Sequence, residues 1–269
     1  MQRLEAVRIA LTFGDSGENH VGNQIVGSKQ MEGTGHTIDD LKALKSELEK
    51  KWKCELHVLK TPDLKECEQV KGKAGVLVVR QFLNFQDQLN LLDELEEEEW
   101  DSKFYNSRRK VVMNKHARKN LIFCHGTSQE PNYEVGKGRI CDIAKMEHLS
   151  SLYDLVKGTS EMIERLSSSK TKHVELIVEG NMYKTCYERK KDQNGIGYHG
   201  DAERTRVMCV SIGGYAYPLK FLLFHKHMIL MQPLEIKLDS GDMYSMSELA
   251  VGTNWKKSSL CTWRHAAGH

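Results

Sequence analysis

Asn194-Gly-Ile-Gly-Tyr-His-Gly-Asp-Ala-Glu-Arg-Thr-Arg206 is the stretch around which the chain reads most coherently. It contains His199-Gly200-Asp201. On an extended strand, residues i and i+2 point to one face. An imidazole and a carboxylate at that spacing can grip one metal ion from the same side. A third ligand must come from elsewhere, and His265 in Thr262-Trp-Arg-His-Ala-Ala-Gly268 is the best candidate. Three protein ligands on one face leave the other face of an ion open to further ligands. Gly195 and Gly197 lead into the stretch, where backbone can approach a ligand closely. The strongly β segment Val207-Met-Cys-Val-Ser-Ile212 follows it. A His-x-Asp spacing is short in a chain with 12 His, and His173-Val-Glu175 is a rival pair. The plainer alternative is a surface histidine at the start of a strand.

The chain has 269 residues, enough for one large domain or two modest ones. With 39% hydrophobic and 28% charged residues it has an ordinary globular composition. A net charge of +2 gives no global basic field to attract nucleic acid, although local clusters exist. The seven cysteines form no CxxC pair and their number is odd, which fits free thiols in a reducing compartment. The first residues carry no long apolar run of a secretory signal, and no window approaches a membrane span. The expected localisation is therefore intracellular, cytoplasmic or nuclear.

Taken in order, residues 6–13 read as a strand running into the loop Gly14-Asp-Ser-Gly-Glu-Asn-His-Val-Gly-Asn23. Phe13-Gly-Asp-Ser16 resembles the nucleophile block of GDSL-type esterases, with Ser16 as the nucleophile. A serine needs a base to take its proton. No His follows an Asp at the spacing that family uses, so this resemblance stops at four residues, and a strand-to-loop turn is the competing reading. Residues 37–52 form a helix capped by Thr37, with Asp40 three residues on and Leu41, Leu44, Leu48 and Trp52 on its apolar face. Strands are expected at 54–59 and 75–80, and a second helix at 84–100, whose acidic run is a solvated end. Residues 108–123 mix cations with a strand-like pattern, which suits a phosphate backbone, a carboxylate or a charged sheet edge. A third helix spans about 141–167. From there to the end β patterns dominate, with strands expected at 173–179, 195–199, 206–212, 218–224, 234–238, 242–246 and 260–266. Many short strands with turns between them suggest a barrel or jelly roll. The expected organisation is α+β: an α/β N-terminal region, 1–104, and a double-stranded β-helix (jelly-roll) domain, 105–269.

Two His and one carboxylate are the ligand set of non-haem Fe(II) oxygenases. In order, Asn181-Met-Tyr183, His199-Gly-Asp201, Gly241-Asp242 and His265 resemble the Fe(II)/2-oxoglutarate-dependent oxygenases, and among them the AlkB-like branch. Asn114-Lys-His-Ala-Arg118, Glu130-Pro-Asn-Tyr133 and Arg264-His-Ala-Ala-Gly268 look like members of that group in algae and large DNA viruses. The likeness covers roughly residues 105–268. It implies a 2-oxoglutarate-dependent dioxygenase with Fe(II) on His199, Asp201 and His265, with O₂ and 2-oxoglutarate as co-substrates. By the same likeness, Asn181 and Tyr183 contact 2-oxoglutarate, which is oxidised to succinate and CO₂ as a C–H bond is hydroxylated. AlkB-like enzymes place an Arg beyond the distal His for the far carboxylate of 2-oxoglutarate. Only Ala-Ala-Gly-His follows His265, so Arg206 and Lys220 are the expected substitutes. The likeness and the basic clusters at residues 108–110, 115–119 and 189–191 point to a nucleobase substrate and a nucleic-acid partner. A protein side chain is the second candidate. The rivals are a non-catalytic metal-binding barrel, in which His199 is structural, and a serine hydrolase using Ser16.

Overall fold

The computed structural model describes residues 7–167, 174–184, 195–214 and 217–268. The strands are β1 (Val7–Gly14), β2 (Ser16–Glu18), β3 (Ile25–Gly27), β4 (Cys54–Leu59), β5 (Ala74–Val79), β6 (Lys103–Asn106), β7 (Val111–Asn114), β8 (Lys119–Cys124) and β9 (Ile140–Asp142). They continue with β10 (Ile177–Lys184), β11 (Ile196–His199), β12 (Val207–Gly213), β13 (Tyr217–His225), β14 (Met228–Ile229), β15 (Leu234–Leu238), β16 (Met243–Met246) and β17 (Thr262–Ala267). The helices are α1 (Ile38–Leu48), α2 (Phe85–Glu96), α3 (Glu147–Leu166) and the single turn α4 (Glu248–Val251).

Strand alternation explains the layering. On β1, Ile9, Leu11 and Phe13 are fully buried against the helices, while Arg8, Ala10 and Thr12 turn to the opposite face. β1 lies at the centre of an eight-stranded sheet ordered β4-β5-β16-β12-β1-β10-β8-β9, paired antiparallel with β12 and β10. A five-stranded sheet, β11-β17-β13-β14 with β15 also on β13, covers the other face. From β10 onward the long strands trade sheets: β10, β12 and β16 join the larger, and β11, β13, β15 and β17 the smaller. Leu219, Phe221 and Leu223 on β13 meet Val76, Val78 and Met246 in an apolar core between the sheets. The fold is thus mixed α+β, with two facing sheets and the three longer helices packed outside the larger one.

The helices form where capping and periodicity agree. Thr37 accepts from Asp40 N, and the Asp40 carboxylate accepts from Thr37 N, a reciprocal cap that starts α1. Leu41, Leu44 and Leu48 then reach the core at helical spacing. The third expected helix starts late. Asp142 accepts from Ala144 N and Gly126 N, which turns the chain into a short 3₁₀ segment before α3 begins at Glu147. Residue 104 is not a boundary within the sheet. β1, β4 and β5, expected in a separate N-terminal region, share the eight-stranded sheet with β8, β10, β12 and β16. Long-range strand pairing overrides the change in composition that marks that position. No described helix is long and apolar enough to cross a membrane.

Candidate metal centre

His199 and His265 sit directly opposite each other on the paired strands β11 and β17. Their ring centroids are 4.5 Å apart. His199 Nδ1 lies 2.8 Å from the Gly197 carbonyl, which accepts a hydrogen bond from the Nδ1–H and leaves Nε2 bearing the lone pair. Strand β11 ends at His199, so Asp201 is not placed by strand alternation. Its backbone N–H donates to the Val251 carbonyl, and the turn that follows folds the carboxylate back onto the two rings. Asp201 Oδ1 then lies 3.6 Å from His199 Nε2 and 3.7 Å from His265 Nε2. Two ligand atoms each ~2.1 Å from one ion are separated by roughly 3.0–3.4 Å at the usual coordination angles. The observed gaps are a few tenths wider, so the donor set fits a first-row ion with a small contraction. Burial, helped by the neighbouring His199, holds His265 well below the ordinary imidazole pKa, in the neutral form that ligates metals. Among the described residues these three form the one group of His, Cys, Asp or Glu gathered tightly enough to hold an ion.

The second oxygen of Asp201 is held from behind. Arg204 is buried, with Nε 3.6 Å from Asp201 Oδ2 and Nη2 2.8 Å from Glu203 Oε1, and it pairs with Glu179. Burial works to raise the Glu179 pKa, but Arg204 and Arg118 outweigh it and keep the carboxylate ionised. The loop itself hangs on the Gly14-Asp15-Ser16 block. Asp15 accepts from Thr205 N, Arg206 N and Gln30 N, and the Ser16 hydroxyl donates to the Glu203 carbonyl at 2.6 Å. Ser16 is fully buried, so the four-residue likeness to a hydrolase marks a structural turn.

Gly200 is required by a close approach: a Cβ there would lie 2.2 Å from the Gly252 carbonyl oxygen. Gly200→Ala is expected to destabilise the protein by about 1–3 kcal/mol and to weaken metal binding, although it removes no ligand. A denaturant melt and a Mn(II) titration check this; an unchanged titration would show that the loop's position does not govern the site.

The cluster lies on the wall of a cavity of about 360 Å³ between the two sheets. Its buried end has Arg8, Tyr183, Ser211 and Leu238. Its open end has Glu18, His20, Val21, Glu203, Trp255 and Lys256. Of the residues expected to face a co-substrate, Asn181 and Tyr183 line this cavity. Asn181 accepts from Arg118 and donates to Glu179 at 3.1 Å. Burial pushes the Tyr183 hydroxyl up to about 12, against the pull of Arg118 and Arg8, so it stays a neutral donor. Arg206 and Lys220 do not line it. Arg206 turns to the helix side and meets Glu164 on α3 at 3.1 Å, while Lys220 pairs with Glu235 at 3.1 Å. The reason for the first is the bend at residue 205, between the two arginines, which sends Arg204 to the cavity side and Arg206 to the helix side. Burial raises the Glu18 and Glu203 pKa values, opposed by the Gly22 N–H at Glu18 and by Arg204 at Glu203, while nearby carboxylates add to the shift. The rival pair at residue 173 and the basic cluster at 189–191 lie outside the described residues.

Sequence reasoning missed Arg8 and Glu179 as parts of the site. For Arg8 the signal was present as a cation at an alternate position of a strand, with Ala10 and Thr12 on the same face.

Fold and site together define a two-sheet α+β protein with a His–Asp–His cluster that could hold a metal at an interior cavity. No family model matches the chain. It belongs to the same family as an Acanthamoeba polyphaga mimivirus protein described as "Uncharacterized protein R156", to which it is 36% identical over 263 residues, spanning 97% of this chain and 95% of that one.

Proposed function

We propose that the protein is an Fe(II)- and 2-oxoglutarate-dependent dioxygenase that hydroxylates or oxidatively demethylates a nucleobase. The observation that carries the reading is the convergence of His199, Asp201 and His265 on the wall of an interior cavity large enough for two small ligands. A double-stranded β-helix core is supported by the way strands from β10 to β17 alternate between facing antiparallel sheets. The two imidazoles and Asp201 Oδ1 would hold Fe(II). The bound ion would supply a centre for oxidising 2-oxoglutarate to succinate and CO₂ while one atom of O₂ enters a substrate C–H bond. Arg204 lies beside Asp201 Oδ2 and holds the carboxylate in place, and Tyr183 offers a neutral hydroxyl to a co-substrate oxygen.

At the open end, Trp255 offers a face for a planar ring, and Glu18 and Glu203 offer carboxyl groups to its polar edge. His20 stacks on Phe104 of the β6–β7 hairpin at 3.7 Å, and Asn23 bonds the Tyr105 backbone, so that hairpin is docked beside the opening. Its turn carries exposed Arg108, Arg109 and Lys110, which suits the backbone of a nucleic-acid strand.

Anaerobic titration with Mn(II), then aerobic turnover of Fe(II)-loaded protein with 2-oxoglutarate, tests the reading. One metal per chain and succinate formation, rising with methylated oligonucleotides, are expected. Stoichiometric metal binding without binding or turnover of 2-oxoglutarate would leave a metal-binding barrel that is not an oxygenase.

A further inference from the structure

Two cysteines outside the cavity of the His–Asp–His cluster have their sulfurs in contact. Cys67 ends the 3₁₀ turn Lys65–Cys67, between β4 and β5, and Cys261 immediately precedes β17. They are 194 positions apart in sequence, yet Sγ lies 3.6 Å from Sγ. Both are free thiols and both are buried, 5% and 8% exposed. Backbone contacts hold the two segments together. The Cys261 thiol donates to the Glu66 carbonyl at 2.7 Å, and Gln69 Nε2 donates to the Glu66 and Ser259 carbonyls at 3.3 and 3.2 Å.

The two sulfurs have different neighbours. Cys261 Sγ lies 3.6 Å from Nδ1 of His225, the last residue of β13. An imidazole at that place can take a thiol proton and return it. His225 Nε2 bonds nothing among the described residues, so no other group fixes which ring nitrogen carries the proton. Cys67 faces the other sulfur, and burial, then Cys261, push its thiol up to about 11. Cys261 is therefore the sulfur with a base at hand, and Cys67 the one held as a thiol. Cys261 also lines a second cavity of about 540 Å³, beside Gln69, Val70 and Leu260. Its slight exposure there suits a small oxidant rather than a bulky one.

We propose that Cys67 and Cys261 are a dithiol site that hydrogen peroxide closes to a disulfide, with Cys261 as the attacking sulfur and His225 as its base. His225 Nδ1 takes the Cys261 proton, and the thiolate attacks one peroxide oxygen. The O–O bond breaks, Cys261 becomes a sulfenic acid, and the departing hydroxide regains the proton from His225 as water. The Cys67 sulfur then attacks Cys261 Sγ. The S–S bond forms, the S–O bond breaks, and the hydroxyl leaves with the Cys67 proton as a second water. The two thiols give up two electrons and the peroxide takes them. Closure draws the sulfurs from 3.6 Å to about 2.0 Å. The bond ties the turn after β4 to the entry of β17, the strand that carries His265. A cross-link over so long a stretch of chain strongly constrains the unfolded state. The site needs no metal.

The test is peroxide treatment of the reduced, full-length protein, followed by alkylation in denaturant and peptide mapping. The expected product is one disulfide between Cys67 and Cys261, reversed by dithiothreitol, with Tm raised by roughly 5–15 °C. Burial and the Glu98 carboxylate at 3.2 Å push the Cys141 thiol up to about 12, so Cys141 should stay reduced under the same treatment. Cys67→Ser should leave Cys261 as a sulfenic acid that a 1,3-dione traps, and Cys261→Ser should leave Cys67 unmodified. His225→Gln should slow thiol loss about a hundredfold, the loss of a general base. A thermal melt of each reduced variant confirms folding, and the mapping of the intact chain decides the matter if a variant does not fold. Oxidation of other cysteines ahead of this pair, or a cross-link that leaves Tm unchanged, overturns the proposal. An unchanged rate in folded His225→Gln removes His225 as the base.

Discussion

Asp201→Ala is expected to abolish metal binding while leaving the fold in place. Asp201 Oδ1 is the point at which both imidazoles meet, 3.6 and 3.7 Å away, and it brings the only negative charge among the three ligands. Without it, two neutral imidazoles remain, with Arg204 nearby as an unfavourable positive charge. Affinity for Mn(II) or Fe(II) should fall by about three orders of magnitude, roughly 4 kcal/mol. The apo protein should melt close to the parent, because Arg204 keeps Glu179 and Glu203 as partners. Asp201→Asn should be nearly as damaging, since it keeps the shape and removes the charge. Calorimetric titration of the variants checks both, and retention of parental affinity by Asp201→Ala would remove the cluster as a metal centre.

The second large effect lies away from the ligands. Asp15→Ala should cost about 4 kcal/mol, because two buried N–H groups and one half-buried N–H lose their acceptor at about 1–3 kcal/mol each. Those groups belong to Thr205, Arg206 and Gln30, and Asp15 is 1% exposed. A loss of that size is a large part of a typical domain's stability. At about 2–4 °C per kcal/mol for a chain of this order it lowers Tm by roughly 10–15 °C. The loop from Gly200 to Arg206 would loosen as well, so metal affinity should fall although no ligand changes. Thermal melting and a metal titration measure the two effects. A loss under about 1 kcal/mol would show that the loop does not depend on this carboxylate.

Both residues illustrate what a linear reading can reach. His199, Asp201 and His265 were legible because their chemistry is rare and their order along the chain suggests a shared site. The reason given for Asp201, strand alternation, was not the one that operates. The strand stops at His199, and a turn held by Asp15, Ser16 and Val251 delivers the carboxylate. Gly14-Asp15-Ser16 drew attention as a motif, but its role came from partners almost 190 positions away in sequence, a contact no local pattern encodes.

The sequence by itself determined most of the longer secondary elements and their types. β4, β11–β13 and β15–β17 fall where alternation and turn residues place them, and α1 starts at the cap Thr37 supplies. It also pointed to the three candidate ligands, since only a few residue types bind metals and His199 and Asp201 stand two residues apart. The tertiary structure decided the rest. It placed β1 between β10 and β12, put strands from both halves of the chain in one sheet, and turned Arg206 outward and Arg8 inward. The physical reason is that side-chain periodicity says which residues share a face of a strand, but not which strand lies beside it. That choice is made by burying two apolar faces at once, and here it brought the first strand of the chain to the far end of a cavity whose cluster is completed by the last.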